Sequence, residues 1–291
     1  MRALLAGWFS FEHMGATAGD LLARNVLGTW LSDVGCPYDV AFAPPFTGGV
    51  DWKCVDPTAY THLVFVCGPF GRSWEVTSFL DRFSGCRLIG VNLSMLEPLS
   101  AWNPFDLLIE RDSSRTARPD LAFLADGPRV PVVGLILIDT QPEYRQRNLM
   151  HGANDMLREL VKERELAVVP IDTRLDVNGV GLRTPAEIES LIAQMDVVLT
   201  SRMHGLVLSL KNSVPVVAVD PVAGGAKVLR QARTIGWPYA FSLEMASATG
   251  LRCAFDNCMT ADARKRAGDC AERARALLSS ARGDFNAEFL E

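Results

Sequence analysis

Short runs of β-branched and aliphatic residues alternate with amphipathic stretches along most of this chain, and no other feature constrains its fold as strongly. A strand, a helix and a second strand in succession pack most simply as a parallel pair with a crossover, so the pattern predicts an α/β protein. In the first half, strands are expected at Ala3–Trp8, Tyr38–Phe42, His62–Cys67, Arg87–Val91 and Asp106–Ile109. The clearest helix there is Asp20–Val34. Leu22, Val26, Trp30 and Val34 recur every four residues, Leu27 and Leu31 broaden the stripe, and Gly35 stops it. The turn at Asp126-Gly127-Pro128 marks a boundary. Beyond it the alternation restarts with strand Val132–Ile138, helix Asn154–Arg164, strand Leu166–Ile171, helix Pro185–Met195 and strand Asp196–Thr200. Helix Gly205–Lys211, strand Val214–Asp220, helix Ala226–Ile235 and a final surface helix, Ala261–Arg282, follow. With 291 residues, two domains are expected, 1–128 and 129–291, each a doubly wound Rossmann-like sheet, with a cleft between them.

Composition removes several classes of function. Lys and Arg number 29 against 34 Asp and Glu, a net charge of −5, so a nucleic-acid surface is not expected. The longest apolar run, Val130 to Ile138, contains Pro131 and Gly134 and is about half a membrane span, which predicts no transmembrane segment. Arg2 is followed by a short apolar stretch that soon reaches Glu12 and His13, which is not the form of a signal peptide, and a cytoplasmic protein is expected. Seven cysteines with no CxxC pair read as reduced, mostly buried thiols. The four histidines fall in no metal-binding spacing, so no metal is expected.

Ligands of open parallel sheets sit at the carboxyl ends of strands. Four such ends carry suggestive residues. At Thr200-Ser201-Arg202-Met203-His204-Gly205 a strand meets a helix N-terminus, whose free N–H groups and dipole suit an anion. Arg202 adds a fork-shaped cation, and His204 can donate to the same anion or move a proton near neutral pH. Taken singly, Arg202 fits an ion pair and His204 a satisfied buried histidine; together on this turn they favour an anion site. The loop Gly15-Ala16-Thr17-Ala18-Gly19-Asp20 lacks both the P-loop Lys and the dinucleotide glycine spacing. Asp20 there fits a helix N-cap, or an acceptor for a sugar hydroxyl. Gly68 and Gly71 after the third strand allow close backbone approach or form a plain turn. Arg111 and Asp112 either line a cleft or pair with each other.

At these four places the sequence resembles the polysaccharide pyruvyl transferase family. The matching elements are Gly15–Asp20, Gly68–Gly71, Arg111-Asp112-Ser113-Ser114, the Ser201-Met203-bracketed Arg202 with His204, the Pro-led strand Val214-Pro215-Val216-Val217, and Lys227-Val228. The resemblance implies a two-domain, GT-B-like fold, phosphoenolpyruvate as donor substrate, no cofactor, and a sugar or glycan as acceptor. A cyclic pyruvate ketal would form on two acceptor hydroxyls with release of phosphate. It implies that Arg202 and His204 hold the donor, assisted by Lys227, Ser201 and Gly205. His204 and Asp20 are then the catalytic candidates, with Gly68 and Arg111 on the acceptor side. One departure stands out: where the family ends the first strand of its second domain with arginine, this chain reads Ile138-Asp139, with Arg145 and Arg147 the nearest arginines. A nucleotide-sugar-dependent glycosyltransferase or epimerase is the rival enzyme reading. A non-catalytic relative that binds an anionic metabolite or a partner is the third, and the missing arginine is its best support.

Overall fold

The computed structural model describes residues 1–139 and 146–290. The chain divides into two compact units, Met1–Pro128 and Arg129–Glu291. Among the described residues no helix is long and apolar enough to cross a membrane.

The first unit contains strands β1 (Ala3–Gly7), β2 (Tyr38–Val40), β3 (His62–Val66), β4 (Pro69–Phe70), β5 (Arg87–Val91), β6 (Ser94–Met95) and β7 (Leu107–Ile109), with helices α1 (Ala18–Asp33) and α2 (Trp74–Arg82). Five strands form one parallel sheet in the order β2-β1-β3-β5-β7, while β4 and β6 pair separately. Both faces of this sheet are covered, so its central strands are continuously apolar rather than alternating. On β1, Ala3 and Leu5 join a core with Ala23 and Leu27 of α1, whereas Leu4 and Ala6 join Val76, Phe79 and Leu80 of α2. The second face is an aromatic layer, with Phe65 against Phe70 at 4.8 Å and Phe79 against Phe83 at 5.3 Å between ring centroids.

The buried face of α1 is not the expected stripe. Leu22, Trp30 and Val34 are exposed, and Ala23, Val26, Leu27 and Gly28 face the core. Each step of four residues rotates about 40° past a full turn, since a helix has about 3.6 residues per turn. Three such steps carry a side chain about a third of the way around the helix, so a strict spacing of four cannot stay on one face.

The second unit contains β8 (Val132–Ile136), β9 (Ala167–Pro170), β10 (Val197–Thr200), β11 (Val216–Asp220) and β12 (Ala240–Ser242). Its helices are α3 (Met150–Lys162), α4 (Pro185–Ile192), α5 (Met203–Lys211), α6 (Lys227–Ile235), α7 (Ala248–Cys258) and α8 (Ala261–Leu290). The sheet is again parallel, ordered β12-β11-β10-β8-β9. Helix α8 is longer than expected. Its first turns bury Ala263, Ala267, Cys270 and Ala271, and its second half leaves Leu277, Leu278, Phe285 and Phe289 exposed. Small residues let the first half dock closely on α5 and α6, so the helix is a core element at one end and a surface element at the other.

Counted from the first strand of each unit, both five-stranded sheets run 2-1-3-4-5. In such a sheet the chain winds one way from its first strand and then reverses, leaving a crevice between the carboxyl ends of the first and third strands. That crevice lies beyond β1 and β3 in unit 1, and beyond β8 and β10 in unit 2.

Candidate functional site

In unit 2, the residues at the reversal point are Asp139, three positions past β8, and Ser201-Arg202 immediately past β10. Arg202 is the N-cap of α5, in extended backbone (φ −110°, ψ 135°), and it supplies no capping hydrogen bond from its side chain. Among the described residues no side chain accepts from the first N–H groups of α5, and the positive end of the helix dipole lies behind them. His204, in the first turn of the helix, is exposed and makes no hydrogen bond or ion pair among the described residues. It is not the satisfied buried histidine that its residue type alone would suggest.

The Arg202 side chain is 12% exposed and is engaged by two carboxylates. One terminal nitrogen donates to Asp139 Oδ2 at 3.0 Å, and the other to Asp172 Oδ1 and Thr173 Oγ1, both at 3.3 Å. Arg174 approaches Asp139 at 4.0 Å and forms a bidentate pair with Asp176 at 3.0 and 2.6 Å. Among the described residues three carboxylates thus meet two guanidiniums, a balance of one negative charge. Asp139 and Asp172 also line a shallow cavity of about 200 Å³. Sequence reasoning missed Asp172, Thr173 and Arg174, although they follow the strand predicted at Leu166–Ile171 and the same strand-end rule applies to them.

Ser201 and Gly205 shape the turn. Ser201 is fully buried; its hydroxyl donates to Asn154 Oδ1 at 2.6 Å and accepts from Ile138 N at 2.9 Å. Asn154 in turn donates to Ile138 O at 3.0 Å, so this triangle ties α3 to the segment that carries Asp139. A Cβ at Gly205 would overlap Thr200 Oγ1 and stand 3.0 Å from Ile136 Cγ2. Only glycine lets α5 start this close to the sheet. Lys227 opens α6 and is exposed. The start of α6 is held by Asp220, fully buried, whose carboxylate accepts from Ala226 N at 2.6 Å, Leu229 N at 3.0 Å and Val222 N at 3.1 Å. Arg147 donates to Ala223 O at 2.6 Å in the same loop, and Arg145 lies outside the described residues.

In unit 1, Asp20, Gly68 and Arg111 line one cavity of about 560 Å³, together with Trp8, Thr17 and Arg72. The N-cap of α1 is Thr17 rather than Asp20. Asp20 is the third helical residue and accepts from Thr17 N and Thr17 Oγ1, both at 2.7 Å, the side-chain-to-backbone half of a capping box. The helix starts two residues earlier than its apolar stripe suggested, which moves the aspartate inside it. Gly68 has φ +80°, and a Cβ there would overlap the Trp8 indole, so both the turn and the close approach require glycine. Arg111 does pair with Asp112, at 3.4 Å, and more closely with Asp120, at 2.8 Å, while still lining the cavity. Two non-glycine residues at these strand ends also hold positive φ, Cys67 at 66° and Asn92 at 58°. Asn92 bonds Cys67 Sγ and Asp120 Oδ2, both at 3.1 Å, which holds the strained backbone in place. Burial pushes the Cys67 thiol up to about 12, so it is inert as a nucleophile.

Among solved structures, the chain is similar to the glycotransferase of kitacinnamycin, with 11% identity, coverage of 98% and 97% of the two chains, and a TM-score of 0.37. The calicheamicin glycosyltransferase gives 12%, 99% and 97%, and 0.34. The spinosyn rhamnosyltransferase complexed with thymidine diphosphate gives 10%, 95% and 96%, and 0.35. Similarities this slight carry no weight for activity. No curated protein matches the sequence. Residues 116–221, which span β8 to β11 and include the Arg202–Gly205 turn, match the family model described as polysaccharide pyruvyl transferase.

Proposed function

We propose that the chain is a pyruvyl transferase that moves the enolpyruvyl skeleton of phosphoenolpyruvate onto two hydroxyls of a sugar or glycan and releases phosphate. The observation that carries this reading is the turn beyond β10, at the reversal point of the second sheet and inside the stretch that matches the family. A small donor with a carboxylate and a phosphate needs a fork-shaped cation, free backbone N–H groups and a mobile proton in one place. Arg202, the N-terminus of α5 and the unpartnered His204 supply these three things.

In this scheme His204 delivers a proton to the donor methylene carbon, leaving the adjacent carbon electron-poor. One acceptor hydroxyl adds there and loses its proton to a general base. The second hydroxyl then displaces phosphate from the same carbon, which closes the ketal, and its proton leaves with the phosphate. Arg202 exchanges a carboxylate partner for the donor anion, and Lys227 with the start of α6 assists. Coupled phosphate release tests the reading: it requires both phosphoenolpyruvate and a sugar, and is lost in His204→Ala. Phosphate release that persists in that variant, or none with any of a broad set of sugars, contradicts it.

The second reading is a relative that binds an anionic metabolite without transferring it. The pairing of Arg202 with Asp139 and Asp172 favours it, because an arginine committed to two carboxylates grips an incoming anion less firmly than a bare one. Stabilisation by phosphoenolpyruvate with no turnover on any acceptor is its signature.

A further inference from the structure

Unit 1 holds a second cavity, of about 520 Å³, which adjoins the one lined by Asp20 and Arg111 at Met14. Its size falls within the range of small-molecule sites. The floor is aromatic: Phe11, Phe42 and Trp52 line it. Trp52 is fixed, with its Nε1 donating to Ser10 O at 3.1 Å and its ring set edge-on against Phe79 at 5.0 Å. The rim is different. Trp74, the first residue of α2, is 75% exposed, and Glu12, Asp51 and Glu75 also line the cavity.

These carboxylates are not equally free. Asp51 accepts from Lys53 N at 2.9 Å and from Cys54 Sγ at 3.4 Å. Glu12 and Glu75 make no hydrogen bond or ion pair among the described residues. The one cation in the lining, Lys53, stands over the Trp52 ring, 5.8 Å from its centroid. The lining therefore carries two surplus negative charges beside its aromatic rings.

An aromatic floor accepts the C–H face of a pyranose ring, and carboxylates accept its hydroxyls. A neutral sugar would leave the surplus charge unmatched, and an acidic sugar would add to it. A protonated amine answers both the free carboxylates and the π faces, as Lys53 on Trp52 already does. We infer that this cavity binds a sugar carrying a protonated amino group. Binding does not depend on the transfer chemistry; only the statement that this sugar is the acceptor rests on the proposed function, which it deepens by naming the acceptor class.

The test is a titration of the 291-residue protein, followed by tryptophan fluorescence, with glucosamine, N-acetylglucosamine and glucuronate and with no phosphoenolpyruvate present. Glucosamine is expected to bind about tenfold more tightly than N-acetylglucosamine, the difference made by one charge-assisted hydrogen bond, with glucuronate weakest. The double variant Glu12→Gln with Glu75→Gln removes that preference, bringing glucosamine to the level of N-acetylglucosamine, and leaves the melting temperature unchanged. Trp74→Ala weakens all three sugars, and Arg202→Ala weakens none. Equal binding of glucuronate and glucosamine, no saturable response to glucosamine, or a preference that survives the double variant overturns the inference. Sugar binding without any phosphate release refutes the transfer reading and leaves this one standing.

Discussion

Replacing Gly205 by alanine sets two physical effects against each other, and the structure decides the sign. Gly205 lies in the first turn of α5, where helix propensity alone favours alanine by about 1 kcal/mol. The added methyl, however, has no room. It would overlap Thr200 Oγ1 and stand 3.0 Å from both Thr200 Cβ and Ile136 Cγ2. Thr200 cannot yield freely, since its hydroxyl donates to Ile136 O at 2.8 Å and accepts from Arg202 N at 3.0 Å. Overpacking costs about 1–3 kcal/mol, and a lost buried hydrogen bond about 1 kcal/mol. The net expectation is a loss of about 2 kcal/mol in unit 2. Hydrogen exchange read in peptides from β10 and α5 isolates this unit from unit 1, which avoids treating a two-unit chain as a single transition. Thr200→Ala removes the obstructing hydroxyl, so the double variant should be more stable than the two single losses added together, by about 1 kcal/mol or more. Increased protection in Gly205→Ala, or simple additivity in the double variant, would refute the packing argument.

Three other outcomes follow from the same contacts. Asp139→Asn removes the surplus negative charge of the Arg202 cluster and should tighten phosphoenolpyruvate binding about fivefold, worth about 1 kcal/mol for so exposed a carboxylate; weaker binding by calorimetry would mean that Asp139 supports the guanidinium instead. Glu110 is buried, and hydrogen bonds from Arg115, Ser113 and Arg118 hold its carboxyl at about 2, below its ordinary 4.5. A depressed carboxylate stabilises the fold above its unfolded pKa, so this contribution, about 2 kcal/mol after allowance for the half-exposed arginines, is lost as pH falls from about 4.5 toward 2. Glu110→Gln should flatten the stability profile of unit 1 across that window, and an unchanged slope contradicts the assignment. His204→Ala should lower turnover at least about a hundredfold while shifting the melting temperature by no more than about 1 °C, because the ring is exposed and unpartnered; a large loss of stability would assign the residue to the fold.

The strands were legible because both sheets are buried on two faces, which writes them as continuous apolar runs such as Ala3–Gly7 and 216–219. Helices α2 and α7 carried a signal that the alternation argument passes over. Ser73 precedes Val76, Phe79, Leu80 and Phe83, and Ser247 precedes Leu251, Ala254, Phe255 and Cys258, in each case an N-cap followed by helical spacing. The turn at Arg202 was readable because all its parts are local. Its partners were not. Asp139 and Asp172 lie 63 and 30 residues away, and they converge on Arg202 only because β8 takes its place between β9 and β10. No local pattern encodes that neighbour relation. The aromatic cavity of unit 1 was hidden for the same reason, since Phe11, Phe42, Trp52 and Trp74 meet only once the sheet has formed.

Calorimetric titration of phosphoenolpyruvate into the protein and its Arg202→Ala variant reaches the central claim with the fewest intermediate steps. A grip by the β10 turn on a small, doubly acidic molecule predicts saturable binding that is at least tenfold weaker in the variant and falls with rising salt. Binding of equal strength in both proteins, or no heat of binding to the parent at all, would contradict it.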